Sequence, residues 1–186
     1  MAIATGRIAQ TTHLLYTKLL SKKAFNMSIQ EPLITELNAP ELLKTALALP
    51  HTGYLKASSH YTYLKISDAY IHQLFPFIED KKISKPDYFD KYSMGAHITV
   101  IYPEEDKTIH SQELNQEHHF RVINAFSTVI GAKRYYALKV EPPTLLELRR
   151  KHSLPGKLAF KKHWIDFHIT FAVSSILTCN NQELII

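Results

Sequence analysis

Gly95-Ala96-His97-Ile98-Thr99-Val100-Ile101 and Asp166-Phe167-His168-Ile169-Thr170-Phe171 repeat one pattern: histidine, hydrophobic, threonine, hydrophobic. In a strand successive side chains alternate between faces, so His97 and Thr99 emerge on one side and Ile98 and Val100 on the other. The same parity pairs His168 with Thr170 and sends Ile169 and Phe171 the opposite way. Each strand therefore presents an imidazole beside a hydroxyl. With 11 histidines, 14 threonines and 45% hydrophobic residues, composition alone gives about 0.2 such strings, and the chain holds three. The third, His60-Tyr61-Thr62-Tyr63, opens a strand, and strands rich in Thr and aromatic residues produce such strings unaided.

Working outward, each of the first two copies closes a similar block. Tyr61 to Ile66 is β-branched and aromatic, hence a strand. Ser67 or Asp68 caps a helix with an apolar face of Tyr70, Ile71, Leu74 and Phe75, ended by Pro76. A polar connector, Glu79 to Ser93, leads to the strand His97 to Tyr102. In the second half Tyr135 to Val140 is again a strand, Pro142-Pro143-Thr144 opens a helix with Leu145, Leu146, Leu148 and Arg149, and Leu154-Pro155-Gly156 closes it. A basic connector, Lys157 to Trp164, delivers the strand Phe167 to Val173. Leu64-Lys65-Ile66 matches Leu138-Lys139-Val140 at an offset of 74 positions, and His97 matches His168 at 71, so one unit is used twice. On this alignment His60 falls opposite Arg134 and has no partner motif. His119 to Ile123 and Phe126 to Ile130 read as further antiparallel strands.

These readings predict an α+β fold: two pseudo-symmetric lobes of mainly antiparallel sheet, helices on the outer faces and a central cleft. The expected division is an N-terminal helical extension over 1–50 and a bilobal domain over 51–186. Within the extension, Leu33, Leu37, Leu42, Leu43, Ala46 and Leu47 make Pro32 to Pro50 helical, with Pro40 interrupting it or starting a second segment.

Lys and Arg outnumber Asp and Glu by 22 to 17, a formal charge of +5 that favours anionic ligands. One cysteine, Cys179, excludes an internal disulfide and a cysteine-rich zinc site and points to a reducing compartment, the cytoplasm. Residues 1–30 carry Arg7, Lys18, Lys22 and Lys23 and no acid, so an N-terminal targeting segment is the other reading of that stretch. No apolar run approaches the roughly 20 residues of a membrane span. Five glycines and no Gly-rich phosphate loop argue against a nucleoside triphosphatase or a dinucleotide fingerprint.

Over roughly 60–175 the doubled motif resembles the 2H phosphoesterase superfamily, whose members carry two His-x-Thr/Ser-hydrophobic motifs on strands of two pseudo-symmetric lobes. Leu148-Arg149-Arg150-Lys151-His152-Ser153-Leu154-Pro155, ahead of the second copy, is similar to the bacterial and viral branches. The resemblance implies a catalytic set of His97, Thr99, His168 and Thr170, with no metal and no cofactor. It implies hydrolysis of a 2′,3′-cyclic or 2′,5′-linked phosphodiester of RNA or a nucleotide. One histidine would act as base and the other as acid, in an order left open, while the threonine hydroxyls donate to the phosphoryl oxygens. Such substrates are the expected partners of a monomer with no membrane association.

Tyr102, Lys157 and Lys161 are the substrate-binding candidates. Strict alternation puts Tyr102 on the inward face with Val100, and only a broken parity brings it beside His97. Lys157, Lys161, Lys162 and His163 form a basic approach to the second motif, suited to steering phosphate or simply solvated. Asp166 shares the face of His168 and is placed to orient an imidazole. His118-His119, with Glu117 the only adjacent carboxylate, makes a poor metal site. Two readings compete with the hydrolase: a non-catalytic nucleotide or RNA binding module using the same cleft, and a metal-dependent hydrolase built from several histidines.

Overall fold

Both histidine motifs are strands in a computed structural model of the chain, which describes residues 30–58, 61–89 and 93–176. The first lobe contains β2 (Thr52–Ser58), β3 (Tyr61–Lys65), the helix α2 (Ala69–Leu74), β5 (His97–Ile101) and β6 (Glu117–His119). The second contains β1 (Ile34–Glu36), β7 (Arg121–Ile130), β8 (Lys133–Glu141), the helix α3 (Pro143–Lys151) and β11 (His168–Ser175). The helix α1 (Pro40–Leu47), the two-residue β4 (Ile83–Ser84) and the hairpin of β9 (Leu158–Phe160) and β10 (His163–Ile165) complete the described elements.

The sheets run β5-β3-β2-β6 and β1-β7-β8-β11-β4, antiparallel at every pairing of these strands. Superposing motif strand on motif strand sets β3 on β8 and β2 on β7, so the repeat includes one strand more than the pattern announced. Thr52 to Ser58 hides its signal. Gly53 and Leu55 point inward while Tyr54 and Lys56 face solvent, and the segment carries few β-branched residues. Gly53 is required because a Cβ there would overlap the Lys65 carbonyl of the neighbouring strand.

The helices follow their apolar spacing. Tyr70, Ile71 and Leu74 of α2 are buried, as are Leu145, Leu148 and Arg149 of α3. Each helix crosses over: α2 packs on β11 and α3 on β5 and β6. The connectors cross over as well. The polar stretch after α2 supplies β4, which pairs with the outer side of β11 (Ser84 opposite Val173). Ile98, Ile101, Leu64, Leu138, Ile169 and Phe171 are fully buried between strands and helices. Each such side chain contributes about 1.5–3 kcal/mol by leaving water.

The helical reading of Pro32 to Pro50 holds from Pro40 onward. Pro40 occupies the first turn, where a missing N–H is harmless, and Ala39 before it is extended at φ −134°. Ile34–Glu36 instead pairs with β7, anchored by the Thr128 hydroxyl donating to the Leu33 carbonyl at 2.8 Å and by the Leu37 N–H on the Ala125 carbonyl at 2.9 Å. Leu33 and Leu47 are exposed. Residues 1–29, and with them the presequence reading, lie outside the described residues, as do His60 and Cys179. No helix of the described residues is long and apolar enough to cross a membrane.

Arg149 ties the lobes together. Its side chain is fully buried and all five guanidinium N–H groups are engaged. Nε donates to the Pro155 carbonyl at 2.8 Å, Nη1 to the Val100 carbonyl at 2.6 Å and Glu105 Oε2 at 3.0 Å, and Nη2 to Glu105 Oε1 at 2.6 Å and the Lys157 carbonyl at 2.7 Å. Glu105 in turn accepts the Tyr102 N–H at 3.0 Å. Removing one partner strands a buried charge, so Arg149→Ala or Glu105→Ala is expected to destabilise the fold by about 3–5 kcal/mol, read as a lowered urea midpoint. A loss under about 1 kcal/mol would show that the pair does not brace the lobes.

Candidate active site

β5 and β11 pack together at the junction of the lobes, and the faces that carry His97, Thr99, His168 and Thr170 open on one cavity of about 590 Å³. Tyr102, Lys157 and Lys161 line the same cavity. Lys162 and His163 are not among its wall residues. His97, Thr99 and Thr170 are 5%, 4% and 7% exposed, and His168 is half-buried.

The two histidines are held alike. Nδ1 of His97 lies 2.8 Å from the Gly95 carbonyl and Nδ1 of His168 lies 2.8 Å from the Asp166 carbonyl. A carbonyl only accepts, so Nδ1 carries the proton of each neutral ring and Nε2 keeps its lone pair for chemistry. Gly95 makes the first of these contacts with φ +66°, where a Cβ would overlap Lys65 Nζ and Asp68 Oδ1. Asp68 accepts both the Lys65 ammonium at 2.6 Å and the Ala96 N–H at 2.8 Å, pinning the approach to the motif. The expectation for Asp166 changes here. Its backbone oxygen orients His168, while its carboxylate pairs with Lys139 at 2.7 Å. Lys65 and Lys139 stand directly across the strand pair from His97 and His168, so each imidazole has a lysine neighbour that an aspartate neutralises.

Burial lowers the His97 pKa to about 4, assisted by the charges of His168 and Lys65 and opposed by the Gly95 carbonyl. Desolvation lowers His168 too, opposed by the Asp166 carbonyl and carboxylate.

A β-bulge settles the parity of Tyr102. Tyr63 opposes Thr99 and Thr62 opposes Ile101, so Val100 is an extra residue that turns the strand and brings Tyr102 round to the histidine face. The second motif has its bulge in the same place. Thr170 opposes Ala137 and Ala172 opposes Tyr136, leaving Phe171 as the extra residue and turning Val173 into the cavity. The Val100 carbonyl freed by the first bulge is the one that Arg149 holds.

Several wall residues had no role in the sequence reading. Tyr61 places its hydroxyl 2.6 Å from Thr99 Oγ1 and 3.3 Å from His97 Nε2, and burial raises its pKa to about 12. The Tyr102 hydroxyl adjoins those of Tyr61 and Thr99. Tyr88, from the first connector, packs edge-on against His97 at 4.5 Å between centroids and donates to the Thr170 carbonyl at 3.3 Å. Phe160 lies against Tyr102 at 4.8 Å. Tyr61 is legible only as part of the discounted His60 string, and Tyr88 sits in a polar connector with no pattern at all.

Lys157 pairs with Glu31 at the cavity wall. Lys161 and Lys162 both have positive φ, 46° and 66°, in the two-residue turn of the β9–β10 hairpin, a conformation that Gly and Asn adopt more readily. That turn aims Lys161 Nζ at the Tyr135 hydroxyl, 3.2 Å away, and over the Phe160 ring at 4.9 Å. His118 bonds Thr144 through Nδ1, and among the described residues no group of three or more His, Cys, Asp or Glu is arranged to hold a metal ion.

No curated protein and no solved structure matches the chain. A family model described as Swiss Army Knife, 2H phosphoesterase domain, matches residues 62–176, a span that starts within β3 and runs through both motif strands. Two histidine-threonine strands in pseudo-symmetric lobes around one cavity, together with that match over more than half of the sequence, make the chain a member of the 2H phosphoesterases.

Proposed function

We propose that the chain is a metal-independent phosphodiesterase that hydrolyses a 2′,3′-cyclic or 2′,5′-linked phosphodiester of RNA or a nucleotide. The observation that carries this reading is the matched pair of imidazoles on one cavity, each with Nδ1 tied to a carbonyl and Nε2 left for proton transfer. One Nε2 removes a proton from the water that attacks phosphorus. As the bond from phosphorus to the ribose oxygen breaks, the other imidazolium gives its proton to that oxygen. Thr99 and Thr170 donate to the non-bridging oxygens as charge develops there. Lys157 and Lys161 attract the anion. Tyr102 and Phe160, packed on each other at 4.8 Å, give the cavity wall an aromatic patch for a base to lie against. The reaction needs no metal and no cofactor, and the chain is taken as a cytoplasmic monomer acting on nucleotides or RNA.

Turnover of 2′,3′-cyclic nucleotides, 2′,5′-oligoadenylate and cyclic phosphorylated ADP-ribose tests the proposal. His97→Ala and His168→Ala are each expected to reduce kcat by about 10²- to 10⁴-fold while circular dichroism stays that of the parent. Near-parental turnover by either folded variant would refute the mechanism. Binding of these nucleotides without turnover by the parent protein would identify the binding-module reading instead. EDTA is expected to leave the rate unchanged, and strong inhibition would indicate a metal enzyme.

The pH profile follows from the shifts. The reaction needs one neutral and one protonated imidazole, and both rings are held below the ordinary value of 6.5. Because burial lowers both rings, the bell in kcat/KM is expected to lie wholly below the ordinary imidazole value: activity falls before neutrality as the shared proton is lost, and at lower pH as both rings become protonated. A bell centred at or above the ordinary imidazole value would contradict the burial of the pair.

A further inference from the structure

The Tyr61 hydroxyl meets two members of the first pair at once, Thr99 Oγ1 at 2.6 Å and His97 Nε2 at 3.3 Å. A phenol has one proton, so it donates to one neighbour while accepting from the other. The protonation state of His97 decides which. When the ring is neutral its proton is on Nδ1 against the Gly95 carbonyl, and Nε2 can only accept. Tyr61 then donates to Nε2, and Thr99 donates to Tyr61. When the ring is protonated, Nε2–H donates to Tyr61, Tyr61 donates to Thr99 Oγ1, and the Thr99 proton turns away from Tyr61, to the Tyr102 hydroxyl or to an anion in the cavity. The two states differ by one proton on His97 and by rotation of two hydroxyls, and neither hydroxyl loses its proton.

Among the described residues no tyrosine bridges His168 and Thr170: Tyr88 meets Thr170 but packs on His97. Tyr135, the repeat counterpart of Tyr61, receives Lys161 Nζ, and Val173 stands where the first lobe has Tyr102. The groups that face His97 are Tyr61, Tyr63 and Lys65 from β3, Tyr88 from the connector and His168 from β11. Of these, Tyr61 bridges Nε2 and Thr99 Oγ1.

We propose that Tyr61 is a positioning residue that couples protonation of His97 to the donor direction of Thr99, turning that hydroxyl onto the phosphoryl group once His97 is charged. The proposal rests on the phosphodiesterase reading above. It gives the two threonines different duties: Thr99 answers to its histidine, and Thr170 donates independently of His168.

The test uses the full chain and inorganic phosphate as probe, with the His97 imidazole followed by NMR across pH with and without phosphate. Phosphate is expected to raise the His97 midpoint in the parent protein, because the anion favours both the imidazolium and the outward Thr99 proton. In Tyr61→Phe the phosphate-induced shift is expected to shrink by about half a pH unit or more, since the direct charge attraction remains and the linked hydroxyl is lost. Thr99→Val should shrink it equally, the double variant no further, and Thr99→Ser should retain it. Where substrate is turned over, Tyr61→Phe is expected to lower kcat by about 10- to 100-fold with little change in KM. Phenylalanine keeps the ring packing against Tyr63, Tyr102 and His97, and a thermal melt checks that the variant folds. An undiminished shift in Tyr61→Phe, additive losses in the double variant, or no phosphate effect on His97 in the parent would overturn the coupling. A parent protein that shows the Tyr61-dependent shift yet turns over none of the substrates would sink the phosphodiesterase reading and leave the coupling standing.

Discussion

The buried fork between Arg149 and Glu105 is the constraint on which the arrangement of the cavity depends. A guanidinium with no exposure is tolerable only when its charge is matched and every N–H has an acceptor, and here one carboxylate and three carbonyls meet that demand. The acceptors come from different parts of the chain: the bulge of β5, the turn after it, the segment after α3 and the root of the β9–β10 hairpin. Satisfying one side chain therefore fixes four backbone segments relative to one another. Lysine could not replace it, since a point-like ammonium has three donors and no planar fork. The carboxylate also accepts the Tyr102 N–H, so the same fork determines where the first motif strand ends and where its tyrosine enters the cavity.

Two bulges give the repeated scaffold its common geometry, and the residues they turn inward give it unequal halves. Each inserts one residue directly after the motif threonine and brings the residue five beyond the histidine to the cavity wall. In the first lobe that residue is a tyrosine whose hydroxyl joins those of Tyr61 and Thr99; in the second it is a valine. Backbone symmetry thus coexists with chemical asymmetry. Burial disfavours the proton on both imidazoles, with His168 and Lys65 adding to the effect at His97 and Asp166 opposing it at His168. A reaction that needs one proton acceptor and one proton donor is served by such a difference.

The sequence made the repeated strand-helix-strand pieces legible because their hydrophobic spacing is regular: β3, α2, β8, α3 and both motif strands lie where periodicity places them. β2 was missed because half of its side chains face water and it is poor in β-branched residues. β4 and the β9–β10 hairpin were missed because strands of two and three residues carry no period. Leu33 and Leu37 fitted a helix by spacing, yet β7 offered their backbone a sheet edge and Pro40 set the helix start. Within the site, the four motif residues followed from strand parity. The position of Tyr102 turned on a bulge, and bulges leave no mark in a hydrophobic pattern. Asp166 lies beside His168 as parity places it, but it orients the ring through its carbonyl while its carboxylate pairs with Lys139, a distinction that side-chain type cannot convey. Arg149 stands in a helical i, i+3, i+4 set with Leu145 and Leu148 and shares their buried face, a placement that its charge concealed in the sequence.

The exchange of helices and connectors between the lobes makes each half dependent on the other. α2 lies on the second lobe's motif strand and α3 on the first lobe's, while β4 leaves its own block to line the edge of β11. A single block on its own would have an apolar helix with no strand beneath it and a motif strand with its back uncovered. The smallest unit able to bury its own interior is therefore two blocks together, so either block alone would have to pair with a second copy. Covalent linkage of the two blocks makes their association intramolecular, and each cavity wall can differ without loss of the shared interior.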